Sequence, residues 1–450
     1  MEKGKFSGSI GFVLAAAGSA VGLGNIWRFP YLAAKYGGGM FLLFYIILVV
    51  TFGFSLMVAE NAIGRKTGAS PLRAFGMINK KWAFVGILAT LVPVIILPYY
   101  NVIGGWVIKY CASYLTGHAA EMAQDGYFEG LLGGHPATLI VYQFIFTVVT
   151  SVIVGCGVEK GIERSSRILM PVLIALAIVV AVYSISLPGA MLGVKYFFVP
   201  DFSHFTFRSV LAAMGQMFFS LSLAMGIMIS YGSYLPKESD LEKSVTQIEI
   251  FDTVIAILAG LMIIPAVFAF SGGDEEALGK GAGLMFITLP KVFDKMGFAT
   301  IMGSVFFLLV LFAALTSSVS IMEAIVPALM EKLGMKRLNA TVITGVYAFV
   351  FGTITALGYN KLSWISINGM SILDMMDFLS NSVLMPVTAL LTCVFIGYVA
   401  GVKTVSDEVS LSGKFRREKL FTVMIKYIAP VFVIAILISS VLDALGVFKI

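Results

Sequence analysis

Ala17-Gly18-Ser19-Ala20-Val21-Gly22-Leu23-Gly24-Asn25 sets three glycines and a side-chain amide in the middle of an apolar run that extends from about 9 to 36. Each Gly costs a helix interior about 1 kcal/mol relative to Ala. Inside a bilayer no water takes over the main-chain groups that a broken helix frees. Such a stretch persists at that depth where it lines a cavity, or where small residues let two helices pack closely. A second stretch, Phe219-Ser220-Leu221-Ser222-Leu223-Ala224-Met225-Gly226, repeats the pattern with serines inside a run from 208 to 234.

That both runs lie in a membrane follows from composition. Of 450 residues 59% are apolar and 12% charged, and the mean hydropathy is +0.95. This is too little polar surface to cover soluble domains. Eleven continuous apolar runs, about 9–36, 39–64, 83–115, 138–156, 161–186, 208–234, 244–271, 298–331, 339–357, 366–400 and 421–447, are each long enough for a transmembrane helix. Their continuity argues for helices and against barrel strands.

With the N-terminus inside, Lys3, Lys5, Arg65, Lys66, Lys80, Lys81, Lys160, Arg164, Lys336, Arg337, Arg416 and Arg417 fall on the cytoplasmic side, and far fewer cations fall outside. The bias predicts a multi-pass membrane protein with its N-terminus in and its C-terminus out. The net charge of +6 is thereby a matter of topology and not of nucleic-acid binding. Lys3, Lys5 and the small residues up to Ala20 imitate a secretory signal, but ten further runs follow, so the segment reads as the first span. Cys111, Cys156 and Cys393 lie within or at the ends of spans and suggest no disulfide framework.

Little in the chain suggests an enzyme. His118, His135 and His204 are scattered in expected external loops, and no HExxH or CxxC motif is present. The segment from Gly272 to Gly281 imitates a phosphate loop, but Asp274 stands where its first Gly belongs and Gly281 replaces the Ser or Thr.

The two interrupted runs are the first and the sixth. If the spans form two five-helix halves, the interruptions are equivalent, and paired breaks of this kind mark a midplane binding site in inverted-repeat transporters. Half-helix N-termini then offer N–H groups to an anion, and freed carbonyls can hold a cation.

The run from Gly18 through Asn25, Ile26, Trp27, Arg28, Phe29 and Pro30 to Tyr31 resembles the signature of the neurotransmitter:sodium symporter family. Gly37-Gly38-Gly39, Gly157 to Arg164, Gly215 to Ser222 and Leu315 to Ser318 continue the likeness in order along the chain. The resemblance implies an all-α fold of two inverted five-helix repeats plus one extra C-terminal helix, with spans one and six unwound at midplane. The first repeat would occupy 1–186, an external loop 187–207, the second repeat 208–400 with an external loop at 272–297, and a cytoplasmic loop and last helix 401–450. It implies sodium-coupled uptake of an amino acid by alternating access, with two Na⁺ ions carried along.

One sodium site would use Ala20, Asn25, Ser220 and Asp252, and the other Gly18, Val21, Ala313, Thr316 and Ser317. Oxygen ligands of this kind suit a hard cation. The substrate would touch Ser19, Ala20, Leu23, Gly24, Ile96, Tyr100, Ile103, Phe219, Ser220, Ser222, Met225, Ser317 and Ile321. By the same resemblance Arg28 and Asp377 form an outer gate, and Lys3 and Glu331 an inner one with Tyr234 beside them. Lys3 replaces an expected Arg and offers a point charge in place of a planar fork. Gly161 and Pro171 suggest a place where the fifth span unwinds or simply kinks.

An intramembrane carboxylate such as Asp252 is costly and marks function, or else lies near the cytoplasmic end of its span beside Lys243. Family members that need chloride carry a neutral residue near this position, so the resemblance implies that chloride is not required. The implied pocket is mostly apolar with a few hydroxyls, which calls for a neutral substrate, and Met225 adapts to bulky hydrophobic or aromatic side chains. Two Na⁺ with a zwitterion gain about 4.6 kcal/mol across 100 mV. The lipid bilayer and the amino acid are the expected partners, nucleic acid is not, and with no twelfth span expected the oligomeric state stays open.

Overall fold

The computed structural model describes residues 4–134, 136–274, 283–296, 298–367 and 369–444. Lys3, His135, residues 275–281 of the segment that imitates a phosphate loop, and the end of the last expected span lie outside them. Among the described residues the chain is helical, with the isolated bridges Gly38–Pro200 and Ile367–Met370 in place of a sheet.

The first span is a bent pair, α1 (Ser9–Ala20) and α2 (Gly24–Lys35), inclined at 50°. Then α3 (Gly39–Thr67), α4 (Lys80–Leu115), α5 (Pro136–Gly155) and α6 (Val158–Ser186) each form a single long, apolar helix. The sixth span is again two pieces, α7 (Phe207–Ser220) and α8 (Ile227–Tyr234), parted by 221–226. After it come α9 (Leu241–Ser271), α10 (Ala299–Leu333), α11 (Arg337–Leu357), α12 (Ile372–Val399) and α13 (Glu418–Ser440). Among the described residues ten spans, with the bent first pair counted once, are long and apolar enough to cross a membrane, and α7 and α8 stand where the sixth of the eleven expected runs lies.

Prolines shape the helices in a regular way. A π turn ends at Arg28, Thr288, Leu384 and Ile428, in each case two residues before a proline. Proline has no N–H and its ring crowds the carbonyl one turn back, and a widened turn relieves both. In α6 a π turn at Val158–Glu163 contains Gly161, and the α-helix from Arg164 to Ser186 runs on through Pro171 without unwinding.

Burial separates the centre from the rim. The apolar stretches of α10 and α3 are 72% and 67% buried, against 33% for α5 and α6, so the former make the core and the latter face lipid. Val141, Phe144, Val148 and Val152 of α5 are accordingly exposed, as are Val342, Val346 and Val350 of α11.

At the core α3 and α8 touch through glycines. A Cβ on Gly64 would stand 2.0 Å from the Ile229 carbonyl oxygen, and one on Gly232 would stand 2.4 Å from that of Asn61. Backbone cannot yield as a side-chain tip does. Gly64→Ala is therefore expected to destabilise the protein by about 1–3 kcal/mol, read as a lower melting temperature in detergent. Gly155→Ala, whose nearest neighbours lie 3.9 Å away, is expected to leave the melting temperature unchanged.

Candidate functional site

The break in the first span begins where α1 ends. Val21 donates to the Ala17 carbonyl at 2.7 Å and Gly22 to that of Ala20 at 3.1 Å, after which the chain turns into a π turn at Gly24–Arg28. Leu23 and Gly24 open α2, and the first amides of a helix have no helical carbonyl behind them. The Gly18 and Ser19 carbonyls face α10, where the Ser317 hydroxyl approaches them at 3.5 and 3.1 Å. Ser222 Oγ also donates to the Ser19 carbonyl, at 3.0 Å.

The second break is strained as well as open. Ser222 and Ala224 hold φ values of 53° and 60°, and Gly226 holds 72°. Left-handed backbone at a residue with a side chain costs of order 1–3 kcal/mol and persists only where the surroundings fix it. Here the fixing group is Glu60, fully buried on α3, whose Oε1 accepts the Ala224 amide at 2.8 Å. Glu60 was no part of the site expected from the sequence, where it reads as one polar residue near the end of a span.

Between the breaks lies a pocket lined by Ser19, Ala20, Gly22, Leu23, Gly24, Asn25, Ile96, Tyr100, Phe219, Ser220, Ser222, Met225, Ser317 and Ile321. Of the expected substrate contacts only Ile103 is elsewhere. It stands three residues beyond Tyr100 on α4, nearly one turn, and lines the vestibule above. The Tyr100 hydroxyl lines the pocket's wall, buried and, among the described residues, without a hydrogen-bond partner.

One flank of the pocket is a closed network around Asp252, which is wholly buried. Asn25 Nδ2 donates to Oδ1 at 2.9 Å, Tyr45 Oη to Oδ2 at 2.5 Å, and Ser220 Oγ to Oδ1. Ser220 also approaches Asn25 Oδ1 at 3.2 Å and takes the Tyr45 hydroxyl at 2.9 Å. The alternative of a solvated Asp252 beside Lys243 does not describe this arrangement. Tyr45 went unnoticed in the sequence because a tyrosine in an apolar span reads as packing. Gln216 did too, and its Nε2 holds the Gly24 carbonyl at 3.0 Å.

On the other flank Gly18 packs on Thr316, where an added Cβ would lie 3.2 Å from the Thr316 Cβ. The Thr316 hydroxyl lies 3.1 Å from the Ala313 carbonyl. The structure thus gathers Gly18, Ala313, Thr316 and Ser317 where α1 meets α10.

Above the pocket a vestibule of about 490 Å³ is lined by Arg28, Tyr99, Ile103, Trp106, Phe219, Tyr359 and Asp377, among others. Arg28 and Asp377 both face it without pairing directly, which revises the expected outer ion pair. The Arg28 guanidinium lies over the Phe219 ring at 5.5 Å. Among the described residues Asp377 is held by Tyr99 at 3.1 Å and Asn381 at 2.6 Å. Burial pushes the hydroxyl of Tyr359, beyond the end of α11, up to about 12, so it stays neutral.

The opposite face is closed too, and Lys3 of the expected inner pair lies outside the described residues. Glu331 accepts Ser70 through its amide at 2.9 Å and its hydroxyl at 2.6 Å. Tyr234 bonds Glu323 at 2.7 Å and not Glu331. Glu323 is two turns earlier on α10, about 12 Å deeper, and is also paired with Arg337. Phe6 caps Tyr234, donating its amide to the Tyr234 carbonyl at 3.2 Å and packing edge-on against its ring.

The sequence matches the profile described as "Sodium:neurotransmitter symporter family" over residues 3–123 and 134–447. It is 37% identical over 397 residues to the uncharacterized sodium-dependent transporter YhdH of Bacillus subtilis (strain 168), covering 87% of each chain. It is 35% identical over 454 residues to an uncharacterized sodium-dependent transporter of Haemophilus influenzae, covering 98% of each. The crystal structure of MhsT in complex with L-phenylalanine has a TM-score of 0.88 with 37% identity and covers 98% of this chain and 100% of MhsT.

Tyr45→Phe leaves buried Asp252 Oδ2 without its donor. It is expected to cost about 1–3 kcal/mol, seen as a lower melting temperature in sodium-free detergent.

Proposed function

We propose that this chain, which belongs to the sodium:neurotransmitter symporter family, carries a neutral, bulky hydrophobic or aromatic L-amino acid into the cell together with two Na⁺ ions, without needing chloride. Sodium-dependent transport across a membrane is common to the family and to the named relatives; the substrate, the ion count and the residues are the reading advanced here. The membrane is a bacterial inner membrane, and the distribution of Lys and Arg favours an N-terminus in the cytoplasm and a C-terminus outside.

The observation that carries the reading is one pocket between two unwound helices, with a buried carboxylate on one flank and freed carbonyls with hydroxyls on the other. Ala20, Asn25, Ser220 and Asp252 form the first sodium site. Gly18, Val21, Ala313, Thr316 and Ser317 form the second. The substrate carboxylate takes the opening amides of α2 at Leu23 and Gly24, and the Tyr100 hydroxyl donates to it. Its side chain rests against Ile96, Phe219, Met225 and Ile321. Among the described residues no charged one lines the pocket, so a charged side chain would be buried unpaired. The L-phenylalanine bound by MhsT is a ligand of the class these walls fit.

Asp252 brings a fixed negative charge to the first sodium site, which makes an added anion unnecessary. Phe219 closes the pocket from outside, with Arg28 and Asp377 in the vestibule above. Glu331 and Tyr234 belong to the inner closure. A channel would need a continuous polar pore, and Phe219 on one side with Phe6 and Tyr234 on the other interrupt any such path.

Purified protein in proteoliposomes is expected to take up radiolabelled L-phenylalanine when sodium is high outside. Uptake should collapse when the gradient is dissipated and persist when gluconate replaces chloride. Asp252→Asn should lose at least tenfold in sodium-driven uptake. Gly22→Ala, whose Cβ would stand 2.4 Å from Ser317 Oγ, should abolish binding while the protein still folds. Equal uptake with and without sodium refutes coupling, and competition by the twenty amino acids identifies the best substrate.

A further inference from the structure

Below the Asp252 network α9 carries a second buried carboxylate. Glu249 stands three residues before Asp252, on the same helix face, and is 3% exposed. Among the described residues its Oε1 is buried with no hydrogen-bond partner, and its Oε2 takes Arg417 Nη2 at 3.2 Å.

Arg417 comes from the connection between α12 and α13, and that connection is firmly seated. Its amide donates to Glu242 Oε1 at 3.1 Å, and the Arg416 amide donates to Glu242 Oε2 at 2.7 Å. The Arg417 guanidinium stacks 3.3 Å from the Phe54 ring centroid and also bonds Thr246. Upstream in the same connection, Glu408 binds Arg65 of α3 at 2.9 Å.

A half-satisfied carboxylate at this depth is costly, and an apolar residue would pack there at less expense. Its neighbour supplies a reason for its presence. With a sodium ion bound, Asp252 is neutralised. Once the ion leaves, two carboxylates face each other one turn apart with Arg417 as the nearby cation.

We propose that Glu249 and Arg417 form a charge-compensated pair that tunes the sodium affinity of the Asp252 site, with neither residue touching the ion. The proposal rests on Asp252 being a sodium ligand, as read above. Arg417 stabilises the ion-free site and so permits release. Glu249 shields Asp252 from the Arg417 charge and so permits capture.

The test is a charge ladder on the full-length protein in detergent. Sodium alone is titrated, with thermal stabilisation as the readout. Arg417→Gln adds a net negative charge and should lower the half-saturating sodium concentration. Glu249→Gln removes one and should raise it. Each shift should be roughly four- to fifteenfold, as expected for a unit charge about 10 Å away at an effective dielectric of about 20–40. The double variant and Arg417→Lys should both return to within about twofold of the parent. In proteoliposomes Arg417→Gln should slow net uptake, which requires return of the empty carrier, and spare exchange, which does not.

A merely structural ion pair predicts shifts of the same sign for both single variants and no rescue by the double, and that result overturns the proposal. So does an unshifted titration. If Arg417→Gln does not fold, Glu249→Gln must still weaken sodium binding, and its failure to do so is equally decisive. Asp252→Asn separates the two readings. If it leaves the titration unchanged, the sodium assignment itself falls. If it abolishes the titration while Glu249 and Arg417 prove inert, only the charge pair falls.

Discussion

Hydrocarbon offers no hydrogen bonds, so a main chain that leaves the helix inside a bilayer has to find every partner within the protein. Two spans of this chain do so, and the rest of the structure follows from that demand. Glu60 holds the Ala224 amide at the second break, and the Gln216 amide holds the Gly24 carbonyl at the first. Ser222 and Ser317 share the Ser19 carbonyl. The two breaks thus partly satisfy each other, which places them side by side at one depth. The groups still open at their junction are those that define the pocket.

This economy explains why the site was partly visible in the sequence. Gly18, Gly22, Gly24 and Ser222 stand out because small and polar residues in a long apolar run defy helical packing. Asp252 stands out because a carboxylate there has to be explained. Tyr45, Glu60 and Gln216 support the breaks from intact helices, and on an intact helix nothing local separates a supporting side chain from one that packs. Reading along the chain reveals where the backbone fails. What catches it depends on distant segments that only the fold brings together.

The errors have a common origin. Ile103, expected in the pocket, lines the vestibule nearly one turn beyond Tyr100 on α4. Tyr234 was expected beside Glu331, and its hydroxyl reaches Glu323, two turns deeper on α10. Arg28 and Asp377 were expected to meet, and each is held by an aromatic neighbour, Phe219 and Tyr99. A helix advances about 1.5 Å per residue, so a residue can be assigned to the right face and still miss its partner by several ångströms in height. Motif resemblance fixes faces better than depths.

The two closures differ in kind, and the difference bears on how transport is driven. Toward the vestibule the pocket is covered by Phe219, with one cation over its ring worth about 0.5–2 kcal/mol. Toward the N-terminal face the closure joins Ser70 to Glu331, Tyr234 and Arg337 to Glu323, and Ser7 and Arg167 to Glu163. Each such contact is worth only about a kilocalorie net, but they tie the segment before α1 to α6, and the α3–α4 connection, α8 and α11 to α10, and must yield in concert. Opening the vestibule side therefore requires a side chain to swing, whereas opening the other side requires helices to separate. A membrane potential of about 100 mV supplies roughly 2.3 kcal/mol for each charge moved inward. On the reading proposed above, cations held where α1 meets α7, α9 and α10 are placed to apply that free energy to the first span, whose preceding residue Ser7 carries part of the closure.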